Sequence, residues 1–160
     1  MIRSIQRHEI KVLQRLIQAL ADHEGRPEAA TITTDQLDNL LFHDKLFEGL
    51  FLCCDEFPVG YALYSMSASS FTGQKRIDLE DYYVDVNYRN AGLGKEIMLH
   101  LVELALQRGC QSLQWGCLHT NHSGLSYYEH LGAKEDNSHQ ILYFDLETML
   151  YLRRMKEGKL

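Results

Sequence analysis

Ile77-Asp78-Leu79-Glu80-Asp81-Tyr82-Tyr83-Val84-Asp85-Val86 is followed closely by Arg89-Asn90-Ala91-Gly92-Leu93-Gly94, and then by an apolar stripe at Leu93, Ile97, Leu101, Leu104 and Ala105. The first run alternates imperfectly and is rich in Tyr and Val, which predicts a central strand. The stripe has the three-to-four-residue spacing of a helix from about Gly92 to Arg108, capped by Gly109. Between them lies a glycine turn, where a backbone without Cβ atoms can approach a ligand closely. The first N–H groups of the helix have no partner within it and point outward, at the positive end of the helix dipole. Such a turn suits a pyrophosphate, with Arg89 offering charge-assisted hydrogen bonds and Lys95 a point charge. The Walker and dinucleotide-binding glycine spacings are both absent, which argues against a nucleotide triphosphatase or a Rossmann enzyme.

Upstream, apolar residues at Ile10, Leu13, Leu16, Ile17 and Leu20 predict an amphipathic helix from about Ile5 to His23, ended by Gly25. Thr33 and Gln36 form a capping-box pair that starts a second, shorter helix. Strands are expected at Leu50–Cys54 and Val59–Ser67, joined through Glu56-Phe57-Pro58, with a further short one at Ile2–Ile5. Downstream, a strand at Leu113–Leu118, a helix at Ser123–Leu131, a strand at Ile141–Leu146 and a helical tail from Glu147 to Lys156 are expected. A hairpin region followed by a strand–helix–strand unit implies an α/β chain with a mixed, twisted sheet covered by helices.

The chain has 160 residues, the size of one domain, with 45% hydrophobic and 24% charged residues. No repeat, linker or low-complexity stretch divides it, so residues 1–160 are read as a single domain. The opening Met1-Ile2-Arg3-Ser4 lacks a secretory pattern and no apolar run is long enough to span a bilayer, which predicts a cytoplasmic protein without a membrane partner. The net charge of −6 and the absence of a Lys/Arg run speak against nucleic acid and are compatible with a cationic substrate. Cys53, Cys54, Cys110 and Cys117 form no CxxC pair and are expected to be reduced. His119 and His122 have no partner at ligand spacing, so no metal site is expected.

Arg89-x-x-Gly92-x-Gly94 at a strand–helix junction, in this element order, resembles the acetyl-CoA motif of GNAT acetyltransferases. Leu79-Glu80-Asp81-Tyr82-Tyr83-Val84 is similar to a characteristic strand of the diamine (spermidine/spermine-type) and thialysine subfamily. The segment from Asn121 to Tyr128-Glu129-His130-Leu131-Gly132-Ala133, and Leu20-Ala21-Asp22-His23-Glu24 at the end of the first helix, resemble two more of its segments.

The resemblance implies the GNAT fold, a mostly antiparallel sheet whose central strands splay where acetyl-CoA inserts, and a homodimer. It assigns Glu80 as general base and Tyr128 as general acid. Tyr82, Val84, Arg89, Asn90, Gly92, Gly94, Lys95 and Asn121 are implied in coenzyme binding, Glu24 and Asp81 in holding a cationic amine. Alternation along a strand puts Asp81 on the side opposite Glu80, unless a bulge re-aims it. Mammalian-type polyamine enzymes carry extra aromatic and acidic residues in this loop, whereas Ser69-Ser70-Phe71-Thr72-Gly73 is closer to the pattern of other members and lacks an acid, which leaves amino-acid-like amines such as thialysine open. Two alternatives remain at this point: an acetyltransferase for a protein or aminoglycoside amine, and a coenzyme A-binding module without catalysis.

Overall fold

The computed structural model describes residues 1–89 and 92–156, in two compact units, Met1–Asn121 and His122–Leu160. The first unit holds a five-stranded sheet in chain order: β1 (Ile2–Ser4), β2 (Glu48–Cys54), β3 (Phe57–Ala68), β4 (Lys75–Val84) and β5 (Cys110–Trp115). The first four strands are antiparallel neighbours, and β5 runs parallel to β4. The parallel pair is joined by α3 (Leu93–Gln107), as a crossover requires.

Helix α1 (Ile10–His23) covers one face of the sheet. Its Ile10, Leu13 and Leu16 pack with Phe51, Tyr61, Leu63 and Tyr83, together with Leu37 of α2 (Thr34–Asp38). The predicted capping box starts α2: the Gln36 N–H donates to Thr33 Oγ1 at 3.2 Å, and the Thr33 N–H to Gln36 Oε1 at 2.9 Å. The helix then widens into a single π turn over Asn39–His43. On α3, Ile97, Met98, Leu101 and Ala105 are buried, in keeping with the stripe read from the sequence. Gly25 and Gly109, both at positive φ, end α1 and α3 as expected.

Several boundaries differ from the sequence reading. The β2–β3 turn is Asp55-Glu56, both left-handed (φ 47° and 70°), the geometry of a two-residue hairpin. Phe57 and Pro58 therefore already belong to β3, and Pro58 is tolerated there because the ladder shifts register beside Cys53. Strand β5 starts at Cys110, directly after the helix cap, and stops before Gly116.

The second unit carries α4 (His122–His130) and α5 (Leu146–Lys156). The expected strand Ile141–Leu146 does not form, and Ile141, Leu142 and Tyr143 are 93%, 88% and 84% exposed. Asp145 explains part of the difference: its carboxylate accepts the Thr148 N–H at 2.8 Å, an N-cap that draws Leu146 into α5.

Gly60 of β3 sits against β4 so closely that a Cβ there would lie 2.6 Å from the Tyr83 carbonyl oxygen and 3.3 Å from Val84 Cα. Backbone cannot rotate away as a side chain can. Gly60→Ala is therefore expected to cost about 1–3 kcal/mol, read as a lower urea midpoint at unchanged slope.

Candidate active site

The site is built on an irregularity in β4. Pairing with β3 runs regularly from Ala68↔Lys75 to Tyr64↔Leu79, and the next pair is Leu63↔Asp81. Glu80 is the extra residue of a β-bulge. Leu79 thus shares a face with Tyr64, whereas Asp81 shares the α1 face with Leu63 and Tyr61. Glu80 and Asp81, adjacent in sequence, line one open cleft of about 510 Å³. Its other walls come from Ile17 of α1, residues 29–32, α2 and Phe47.

Their surroundings differ. Glu80 is exposed, and among the described residues no cation lies within ion-pair distance of it. Asp81 is half-buried over Tyr61, whose hydroxyl donates to Asp81 Oδ2 at a long 3.5 Å. Burial, reinforced by repulsion from Glu80 and Glu24, pushes the Asp81 carboxyl up to about 6, against the pull of the Tyr61 bond. Burial next to the negative Asp81 likewise raises the Tyr61 phenol. Glu24, just past the end of α1, is near enough to act on Asp81 but does not line the cleft.

Beyond the bulge the sheet opens. Pairing of β4 with β5 ends at Leu79↔Trp115, while β4 continues through Tyr82 and Val84. Past the end of β4, Arg89 is fixed by three contacts. Its Nε donates to the Val84 carbonyl at 2.9 Å, its guanidinium lies 5.5 Å from the Tyr83 ring centre, and Nη1 is 3.1 Å from His23 Nε2. Burial, then the Arg89 charge, lowers the His23 pKa and favours a neutral ring that accepts from Arg89. Gly92 follows at φ 79° as the N-cap of α3, a conformation that favours glycine, with Gly94 and Lys95 in the first turn. Asn90 lies outside the described residues.

Two further predicted residues belong to later parts of the chain. Asn121, half-buried, closes the loop after β5, its N–H donating to the Leu118 carbonyl at 2.9 Å. Tyr128 belongs to α4 of the second unit, edge-on to Tyr127 with ring centres 5.4 Å apart. Its carbonyl accepts the Ala133 N–H at 3.0 Å, closing the helix at Gly132.

The family model described as Acetyltransferase (GNAT) family matches residues 12–133, from α1 through the bulged β4 and past α4. The chain belongs to the GNAT acetyltransferase family. As a GNAT acetyltransferase it is similar to thialysine N-epsilon-acetyltransferase of Bos taurus, 32% identical over 146 residues that cover 84% of each chain. Spermidine/spermine N(1)-acetyltransferase-like protein 1 of Homo sapiens is 28% identical over 160 residues, covering 93% of this chain and 23% of that protein. Among solved structures, the integron cassette protein VCH_CASS6 of V. cholerae shares the fold with a TM-score of 0.80 at 20% identity, over 96% of this chain and 97% of that one. A possible acetyltransferase from Clostridium difficile reaches 0.81 at 16% identity, over 91% and 97%.

In this GNAT chain four residues at the site escaped the sequence reading: Tyr61 under Asp81, His23 against Arg89, and Gln36 and Asn39 in the cleft wall. Tyr61 and His23 meet partners 20 and 66 residues away, a pairing no local pattern announces. Gln36 was visible only as a helix cap, and it performs that role as well.

Proposed function

We propose that this GNAT chain transfers the acetyl group of acetyl-CoA to a primary amine of a small cationic molecule: a diamine, a polyamine or a lysine-like amino acid such as thialysine. The observation that carries this reading is the bulge at Glu80, which sets two carboxylates in one cleft. Relatives named for thialysine and for spermidine/spermine support it.

The residues present fit such a coenzyme. Gly92, Gly94 and the first-turn N–H groups of α3, with Lys95, suit a pyrophosphate. Arg89 is held by Val84, Tyr83 and His23 at the head of the same turn. Tyr82 and Val84, on the part of β4 that outruns β5, suit an amide-bearing arm added like another strand, and Asn121 is a further candidate contact. When bound, acetyl-CoA supplies an activated acyl group on a thiol leaving group.

An alkyl ammonium has a pKa of about 10.4, so the acceptor must lose a proton before its lone pair can react. Glu80, solvated and without a cationic partner among the described residues, takes that proton directly or through a water. Asp81 and Glu24 hold the cation, and Tyr128 is the proposed general acid for the departing thiolate. The four cysteines are free, in keeping with a reducing, cytoplasmic setting.

The test is thiol release from acetyl-CoA across spermidine, putrescine, thialysine, lysine, an aminoglycoside and a peptide. Release stimulated by one or more of the small amines is expected. Coenzyme A binding with no amine-stimulated release would replace this reading with that of a non-catalytic module.

A further inference from the structure

Arg89 leads into the glycine turn, and Gly92, three residues on, is the N-cap of α3. An arginine free to explore its rotamers would lose that freedom on gripping an anion, at a cost in affinity. Two of the contacts that hold Arg89 are local: Nε donates to the Val84 carbonyl at 2.9 Å, and the guanidinium lies 5.5 Å from the Tyr83 ring centre. The third is remote. His23, the last residue of α1, brings Nε2 to 3.1 Å from Arg89 Nη1 across 66 residues of sequence. The end of α1 that carries His23 is itself fixed. The Glu24 N–H donates to the Leu20 carbonyl at 3.0 Å, and the Arg26 N–H to the Ala21 carbonyl at 2.9 Å. The His23 ring is tilted against Tyr83 with 6.5 Å between ring centres. A guanidinium only donates, so the His23 contact is a hydrogen bond only while Nε2 is an unprotonated acceptor and Nδ1 carries the ring proton. Protonation turns it into a contact between two cations.

Resting on the coenzyme site of the transferase reading above, we propose that His23 is a positioning residue for acetyl-CoA: neutral, it holds Arg89 in the pose that receives the coenzyme's phosphates, and protonated it releases Arg89. The surroundings favour the neutral ring, because burial and the Arg89 charge outweigh the opposing pull of Glu24. Asp22 on α1 and Asp85 beyond β4 are the other acids near Tyr83, and Arg26 lies 4.0 Å from Glu24. The Tyr83 phenol is pushed up by burial and by Asp85, so it stays protonated. The direction of the effect separates two roles. As a mere point charge, protonated His23 would strengthen the binding of an anion; acting through Arg89, its protonation weakens it. Asp81 also titrates near 6, so variants rather than the wild type alone must decide.

The test is calorimetric binding of acetyl-CoA and of dephospho-coenzyme A between about pH 5.5 and about pH 8. The second ligand lacks the phosphate monoester, whose second ionisation falls at about 6, so its own charge stays constant over this range. Wild-type affinity for both is expected to fall about three- to tenfold from the alkaline to the acid end, the scale of one charge-assisted bond at a solvent-accessible site. His23→Phe keeps a ring beside Tyr83 but offers no acceptor, and should bind about three- to tenfold more weakly at about pH 8 with little dependence on pH. His23→Gln restores an acceptor that does not titrate, so it should recover most of that affinity and hold it into acid. In an Arg89→Gln background, His23→Phe should change affinity by less than about twofold, because the two residues act as one unit. Affinity that rises with acid, a His23→Phe variant within about twofold of wild type, an unaltered pH dependence in His23→Gln, or additive losses would each overturn the proposal. Failure of the wild type to bind either ligand would overturn the coenzyme site as well, whereas binding indifferent to His23 would overturn this proposal alone.

Discussion

Glu80→Gln is expected to lower kcat/KM for the amine by about a hundredfold or more at neutral pH, the usual scale for loss of a positioned base. Fold stability should stay within about 0.5 kcal/mol, because Glu80 is exposed and forms no ion pair among the described residues. Its removal even relieves a like charge beside Asp81. Coenzyme A affinity should also hold, since the side chain opens into the amine cleft. A pH profile separates this role from mere crowding of the acceptor. In the variant only amine already deprotonated in solution can react, so its rate should climb tenfold per pH unit toward the amine pKa. The wild type should level off sooner. A variant within about fivefold of wild type at neutral pH would remove Glu80 as the base, since a working base contributes far more.

Much of the frame behind that prediction could be read from one sequence, because it rests on periodic patterns. The stripe of α1, the capping box of Thr33 and Gln36, the Gly92 cap and the stripe of α3 all stand where their spacing put them. The bulge did not announce itself. Leu79-Glu80-Asp81 reads as ordinary alternation, and only the pairing of Leu79 and Asp81, two residues apart, with the adjacent Tyr64 and Leu63 shows the extra residue. Two acids expected on opposite sides of a strand thereby came to one cleft. The late strand at Ile141–Leu146 failed for the opposite reason. An apolar run has strand propensity, but a strand needs a partner, and Asp145 offered Leu146 a helix start instead.

Asp81→Asn is expected to stabilise the protein at neutral pH while lowering its activity toward amines at least about tenfold. The carboxyl sits at about 6 in the folded chain, against 3.8 for an unperturbed aspartate, because burial and the charges of Glu80 and Glu24 oppose its ionisation. The folded state therefore holds this proton more tightly than the unfolded chain does. Below about pH 4 both states are protonated and the residue costs nothing. As pH rises from there through about 6, the unfolded chain ionises freely, the folded one resists, and stability falls to a lower plateau. Raising the carboxyl from 3.8 to about 6 corresponds to about 3 kcal/mol at most, and solvent in the open cleft brings the expected gain from Asn to about 1–2 kcal/mol. That is a rise in Tm of about 3–6 °C at pH values above 6, fading toward pH 4. The Tyr61 hydroxyl can donate to the Asn oxygen as it does to Asp81, so no buried donor is orphaned. A lower Tm at neutral pH, or the same gain at acid pH, would mean that Asp81 is not a strained carboxylate. The opposed changes in stability and activity, if seen together, identify it as a group held at a cost to the fold for the sake of the cation it receives.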